Sequence, residues 1–523
     1  MPLLVFLYCL VPLTVMLASC GETSQPVSET LTPPASGFVA VAAEVVSVSK
    51  VPDPHSVTYP DCLMVGEYRV LEKLGNVRVP ERILVALPAI LNRELQPASD
   101  LRPGQLCRLQ LPENFREKGD LGMLQMSDDI GRTDLPLYYT RFVEAETRAL
   151  DAFPARPAGY FAAAERVISG EKAKIRYPWS EKAAELRGAV MAADLQAIQR
   201  ELDAHGGDWE AWDKALAPFH ADLRQKVEAS PTGEELHKGA HYFRTLRNKD
   251  YKAVTDDPSS GPLNMITALH RQIRERGIDL IVVPFPAKEM VNAHHFSDLA
   301  PKNGIYSVWR LKLTYELLKA GVEVIDLTAA LQENRDNHPW IFYDAADLHP
   351  AAGAIQIAAE EVASRLERYE LQKRPEWPGI KYKLVSTTVT AKEDAQLGEV
   401  RPGAKYPAVK VVAEDGSLVE VVEDSKCPIL IIGDSFTAVP GPQVPSASIP
   451  AHIARHLGEV PAQLVSLGGS EKAMRMLARE GGSYLAGRAA VVFIFSPSRL
   501  LGAKSFTGEV SWDLYDLPPV ILE

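Results

Sequence analysis

Cysteine is scarce in this chain of 523 residues: there are five, none in a Cys-x-x-Cys pair and none at zinc-type spacing. That excludes a cysteine-rich metal module, and no metal or cofactor is expected. Long basic runs are missing too. The net charge is −12, with 68 Asp and Glu against 56 Lys and Arg, which excludes generic binding to nucleic acid. Beyond the N-terminus no apolar run is long enough to span a bilayer. The first folded segment has no row of aromatic residues of the kind that stacks on sugars. What remains is the composition of an ordinary globular chain, long enough for two to four domains.

The N-terminus is the exception. Met1 to Ala18 is almost wholly apolar, yet it lacks the Lys or Arg that usually opens a signal sequence. It is too short, and too soon followed by polar residues, for a good transmembrane helix, so residues 1–20 read as a signal peptide. Leu17-Ala18-Ser19-Cys20 resembles a bacterial lipobox, in which cleavage frees the cysteine, here Cys20, to carry lipid. A plain signal or anchor, or a cytoplasmic protein, are the alternatives. Residues 21–37 are rich in Ser, Thr and Pro and read as a disordered tether. Of the other cysteines, Cys9 lies in the signal. Export would permit a Cys62–Cys107 disulfide, and Cys427, just before an apolar run, reads as a small core residue.

Residues 38–143 carry short runs rich in Val, Leu and Ile, separated by turn clusters such as Pro52-Asp53-Pro54. They predict a small β domain, barrel or OB-like, serving either as a polysaccharide binder or as a spacer. Residues 144–240 show apolar spacing of three and four and predict a helical segment. Within it Trp209, Trp212 and Phe219 mark a packed helix face. From residue 241 to 505 strands alternate with helices, which predicts an α/β domain whose parallel sheet is covered on both faces. Residues 382–423 interrupt that rhythm with a hairpin signal at Glu414-Asp415-Gly416-Ser417, placed where it could overhang a site as a lid. Residues 506–523 form a tail.

The organising stretch is Cys427 to Pro440, CPILIIGDSFTAVP. A buried strand ends at Gly433, and Asp434 and Ser435 follow. In open α/β sheets ligands bind beyond the carboxyl ends of strands, so Ser435 is a candidate nucleophile; an ordinary strand-end turn is the alternative. A serine hydroxyl needs a base, usually histidine, oriented by a carboxylate. His349 stands apart among twelve histidines, in the polar loop Tyr343-Asp344-Ala345-Ala346-Asp347-Leu348-His349-Pro350. Asp347 lies two residues before it, on the same side of an extended chain, and Pro350 disfavours helix at His349. A helix-capping loop is the alternative. His294-His295 invites a metal reading but has no matching acidic spacing, and reads as a loop pair.

Gly433-Asp434-Ser435-Phe436 with Asp347-x-His349 upstream resembles SGNH/GDSL hydrolase-like proteins, and more narrowly the AlgX/AlgJ type of alginate O-acetyltransferases. The histidine precedes the serine by 86 residues (435 − 349), the reverse of the order in ordinary GDSL esterases. Pro284-Phe285-Pro286-Ala287-Lys288, Gly468-Gly469 and Phe493 to Leu500 also resemble that branch. Three features depart from it. Pro350 replaces the usual Trp, Gly353 comes four residues after His349 where the branch has glycine five after, and no carbohydrate-binding module follows the domain, so alginate is poorly supported as substrate.

The resemblance implies a triad of Ser435, His349 and Asp347, with backbone N–H groups of Ser435 and of Gly468 and Gly469 holding the oxyanion. Lys288, Arg499 and Tyr343 are candidate substrate contacts, the two cations being equally readable as structural. The implied activity is O-acetyl transfer to an exported or cell-surface polysaccharide, with a membrane-bound acyl-donor protein as partner and a lipid-anchored, periplasm-facing location. A carbohydrate acetylesterase, or an inactive SGNH-like component of an export complex, would use the same fold.

Overall fold

The computed structural model describes residues 37–55, 60–74, 79–115, 117–130, 132, 134–162, 174–175, 181–229, 235–238, 241–244, 252, 255–256, 261–335, 349–390, 405–422, 425–442, 444–467, 470–480, 485, 487–496 and 521–522. Its first part is a mainly antiparallel sheet of β1 (Phe38–Val48), β2 (Cys62–Leu74), β3 (Arg82–Leu91), β4 (Glu94–Leu95), β5 (Leu106–Pro112), β6 (Gln125–Ser127), β7 (Leu137–Tyr139) and β8 (Val143–Ala145). The order is β4-β3-β2-β1-β5-β8, with β6 and β7 added in parallel to β2 and β3. This path is linear among the described strands, so the barrel expected from the sequence is not closed by these pairs. The strands are near-continuous apolar runs because the sheet is buried on both faces. Val41, Met64, Tyr68 and Val85 fill one core. Leu63, Val65, Leu84 and Ala86, on the opposite face by alternation, join the core of the α/β domain.

One expectation fails in this region, and one pairing left open by the sequence is excluded. Residues 144–153 are not helical: β8 continues through Ala145, and a single 3-10 turn follows at Leu150–Ala152. Glu146 pins the chain there, its backbone N–H donating to Leu106 and its carboxylate accepting from Arg108 and Arg148. The disulfide is also absent, since Cys62 and Cys107 are buried free thiols. Ala43 of β1 pairs with Cys107 on one side and Val70 on the other. Cys62 lies eight residues from Val70 along β2, on the order of 25 Å away, far beyond disulfide reach.

After β9 (Lys174–Ile175) come α1 (Glu181–Ala204), α2 (Trp209–Ala215), α3 (Ala217–Glu228) and the hairpin β10 (Glu235–Lys238) and β11 (His241–Arg244). Trp212 and Phe219 are buried, and Trp209 stacks on Trp212 at 6.0 Å. Trp212 and Phe219 are packed, as the spacing predicted, but on two helices and not one face: Trp212 packs with Leu202 and Val308, and Phe219 joins the core of the α/β domain.

The α/β domain runs α4 (Gly261–Arg274), β12 (Asp279–Pro284), α5 (Lys288–Asn292), α6 (Val308–Lys319), β13 (Glu323–Val324), α7 (Thr328–Asn334), α8 (Ala352–Leu366), β14 (Tyr382–Thr390), β15 (Lys405–Ala413), β16 (Ile429–Gly433), α9 (Ser435–Ala438), α10 (Ile449–Leu457), β17 (Ala462–Val465), α11 (Ser470–Glu480) and β18 (Ala490–Phe495). A final strand, β19 (Ile521–Leu522), pairs with β9. Strands β13-β12-β18-β16-β17 form a five-stranded sheet, parallel throughout. Leu280, Val282, Leu430, Ile432 and Phe493 face one core with residues of α4, α6 and α11. Ile281, Val283, Ile429, Ile431 and Val492 face another with residues of α8 and α10. Burial on both faces is why these strands are unbroken apolar runs.

The hairpin differs from expectation in register. β14 and β15 pair from Tyr382–Ala413 to Thr390–Lys405, so the connection falls in 391–404, outside the described residues. Glu414 to Ser417 is instead a tight turn beyond β15, held by the Asp415 carboxylate accepting from Ser417 N and Oγ. The turn folds the chain back on the end of β15 and not onto β14: Ala413 N donates to Ser417 O at 2.9 Å, and Val412 and Leu418 form an antiparallel bridge. The hairpin rests on the segment after Ser435. Val389 and Ala408 pack on Val444 and Ala447, and Val411 packs on Ala451 and Ala454.

His452 fastens the hairpin to α10. Its Nε2–H donates to Val409 O at 2.9 Å, and the ring is buried. Burial, with Arg455 nearby, lowers its pKa from 6.5 to about 4. The unfolded chain therefore binds a proton that the folded one does not between those values. Stability is complete above pH 6.5 and falls as pH drops towards 4, by up to about 3 kcal/mol from this residue. Urea denaturation from pH 7 to 4 on the native chain and on His452→Gln checks this: the slope of stability against pH should be shallower in the variant.

Candidate active site

β16 delivers the site. It pairs with β17 and β18 and is buried along its length, so its carboxyl end is held on both sides. Gly433 ends it under tight constraint. A Cβ there would meet Thr437 Oγ1 at 2.0 Å and Ile494 O at 2.2 Å, so only glycine lets β18 and the following turn close on it. Ser435 then opens the one-turn helix α9 and is half-buried. It stands at the carboxyl edge of a central strand, the position at which open α/β sheets bind ligands.

Asp434 holds this turn. Its buried carboxylate accepts from three segments: Phe436 N on Oδ1 at 2.9 Å, and Ser470 Oγ at 2.8 Å and Ser496 N at 2.9 Å on Oδ2. A buried carboxylate needs such donors. Here they come from the nucleophile turn, the start of α11 and the exit of β18. Thr437 Oγ1 adds a bond to Ile494 O at 2.9 Å. Asp434 enters the sequence pattern only as part of the Gly-Asp-Ser turn, and Thr437, Ser470 and Ser496 do not stand out in it as site residues. The available signal was a set of small polar residues just beyond three apolar strands.

His349 is brought to the same place. Its imidazole lies 5.1 Å, centroid to centroid, from the ring of Phe436, the residue after Ser435, and Phe285 closes on Phe436 edge-on at 5.6 Å. Phe285 leaves β12, so β12, β16 and the loop before α8 converge at one edge of the sheet. Lys288 is buried at the start of α5, on that same edge. Asp347, Tyr343, Gly468, Gly469, Arg499 and Cys20 lie outside the described residues. The rings of His294 and His295 lie 3.9 Å apart, tilted by 39°, in a 3-10 turn, and no cluster of three or more potential metal ligands occurs among the described residues. A separate cavity of about 670 Å³ is walled by α1, α6 and α7 and contains the Arg310–Asp326 pair; none of the candidate site residues lines it.

Residues 242–441 match the family model described as SGNH hydrolase-like domain, acetyltransferase AlgX. Over these residues the α/β domain is similar to the SGNH hydrolase-like, AlgX-type family. The match contains both His349 and Ser435 and ends before β17. Among solved structures the chain is similar to the O-acetyltransferase domain of Pseudomonas putida AlgJ, with 15% identity, a TM-score of 0.40, and coverage of 54% of this chain and 99% of that one. It is also similar to Pseudomonas aeruginosa AlgX, with 16% identity, a TM-score of 0.35, and coverage of 50% of this chain and 64% of that one. Bacillus cereus PatB1 follows with 12% identity, a TM-score of 0.31, and coverage of 51% and 96%. No curated protein matches the sequence. In this SGNH-like domain the Gly433-Asp434-Ser435 turn and His349 meet at the carboxyl edge of the sheet, and no helix among the described residues is long and apolar enough to cross a membrane.

Proposed function

We propose that the protein is a serine-dependent O-acetyltransferase acting on an exported or cell-surface polysaccharide. The observation that carries this reading is the His349 imidazole packed against Phe436, beside a half-buried Ser435 at the carboxyl end of β16. The family of the domain supports the choice of acetyl as the group moved.

In the proposed reaction His349 accepts the Ser435 hydroxyl proton as Oγ bonds to the carbonyl carbon of an acetyl ester. The leaving oxygen takes that proton from the imidazolium as its bond to carbon breaks, and acetyl-Ser435 remains. A sugar hydroxyl then gives its proton to His349 and attacks the acyl carbon. Ser435 Oγ leaves and recovers the proton. Asp347 would orient the imidazole and stabilise its charged form. The backbone N–H groups of Ser435, Gly468 and Gly469 would hold the oxyanion, the largest electrostatic contribution in such chemistry. The acyl donor would be presented by a membrane-bound partner, with a lipid on Cys20 keeping the enzyme at the membrane.

The test is an activated acetyl ester offered to the full chain with and without oligosaccharide acceptors. Acetylated sugar supports the proposal. Acetate release alone, whatever acceptor is present, reassigns the protein as an esterase. Failure of Ser435 to acylate makes it a binding component.

A further inference from the structure

α11 joins two parts of the molecule that share no other stated purpose. At its first residue, Ser470 Oγ donates to Asp434 Oδ2 at 2.8 Å, and both residues are fully buried. Gly468 and Gly469 immediately precede it in the chain. One turn further on, the same helix is held from the opposite direction. Lys472 Nζ donates to Met126 O at 2.5 Å and Arg475 Nη1 donates to Asp128 O. Those carbonyls lie on and just after β6, which is paired to β2 at Cys62–Met64 and so belongs to the antiparallel sheet. Lys472 and Arg475 are three apart and share a helix face. Met474 and Leu477 pack into the core that also contains Met126, Leu63 and Val65.

We infer that Ser470 is a positioning residue for Ser435, and that the N-terminal β domain sets the active site by clamping α11. The inference rests on the proposed role of Ser435. It gives residues 38–145 a purpose beyond spacing or sugar binding. The physical argument is a short rigid path. The β sheet fixes two carbonyls, the carbonyls fix Lys472 and Arg475, and α11 carries Ser470 against Asp434. Asp434 caps Phe436 N and so orients α9, whose first residue is Ser435. A displacement of about 1 Å at a reacting centre costs on the order of a hundredfold in rate, so a remote clamp can govern reactivity without touching substrate.

The experiment uses the full chain and two readouts. The first is acylation of Ser435 by 4-nitrophenyl acetate, followed as kcat and KM. The second is deuterium uptake by the peptide spanning 434–438. Ser470→Ala is expected to lower kcat roughly ten- to a hundredfold with KM changed less than about twofold, while Ser470→Thr, which keeps the hydroxyl, restores most of the rate. The pair Lys472→Met with Arg475→Met is expected to lower kcat in the same sense and to raise uptake at 434–438. Lys472→Met alone, expected to act in the same direction, replaces the pair should the pair fail to fold. Wild-type kcat in Ser470→Ala, a change confined to KM, or unchanged uptake at 434–438 in the clamp variants would each overturn the inference. Full activity in Ser435→Ala would instead sink the catalytic reading. The uptake measurement stands apart from activity, so the two failures are distinguishable.

Discussion

Ser435→Ala should abolish acyl transfer, lowering kcat on the order of 10⁴-fold or more, and His349→Ala should do nearly the same. The two losses should not add. A nucleophile and its base act as one unit, so the double variant should be no slower than the weaker single variant within a few-fold. Mass spectrometry of the chain treated with 4-nitrophenyl acetate provides the check. One acetyl group should appear on the peptide containing Ser435 in the native chain and on neither variant. An acetylated Ser435 in His349→Ala at the native rate would remove His349 from the mechanism, and with it the meaning of its contact with Phe436. Both variants should keep native stability, because Ser435 is half-buried and neither substitution removes a large core side chain.

The largest effect on stability is expected at the other edge of the sheet. Arg368 donates to both oxygens of Glu323, at 2.8 and 2.6 Å, and also to the Tyr369 hydroxyl, which donates in turn to Asp279 at 2.6 Å. Glu323 and Asp279 open β13 and β12, while Arg187 of α1 and Arg274 of α4 reach the same carboxylates. Glu323 is completely buried and Arg368 nearly so. Glu323→Ala leaves the arginine charge buried without its principal partner, and should cost about 3–5 kcal/mol. Replacing both by apolar residues, Glu323→Leu with Arg368→Met, removes the charge together with its partner. The double variant should therefore recover a good part of that loss. Urea denaturation at constant slope measures each value. A double variant as unstable as Glu323→Ala would mean that the cluster acts through its wider links to α1 and α4 and not through the Glu323–Arg368 pair.

Much of the α/β domain was legible because its strands announce themselves. Ile278 to Phe285, Ile429 to Ile432 and Val491 to Phe495 are apolar runs too short for helices, and each is a strand within one or two residues. The apolar run Val322 to Leu327 is a strand only over Glu323–Val324. Asp326 leaves the sheet to pair with Arg310 and to accept from Thr328, a tertiary contact that no local pattern announces. The hairpin was legible as alternation but not in register. The Asp-Gly signal at 414–417 is a strong local turn, and local strength does not say which strands it joins.

By itself, the sequence determined the alternation of strands and helices, the glycine that must end β16, and the candidate pairing of a strand-end serine with a loop histidine. These are local matters: side-chain period, turn chemistry, and residue types that act only in particular pairs. Tertiary structure decided the rest. It placed His349 beside Phe436 across 87 residues of chain (436 − 349) and kept Cys62 from Cys107 by strand register. It also gathered three donors from separate segments onto Asp434. The reason is common to all three. A buried polar group or thiol takes whatever neighbours the packed sheet brings to it, and those neighbours are set by strand order and register, quantities that no window of sequence contains.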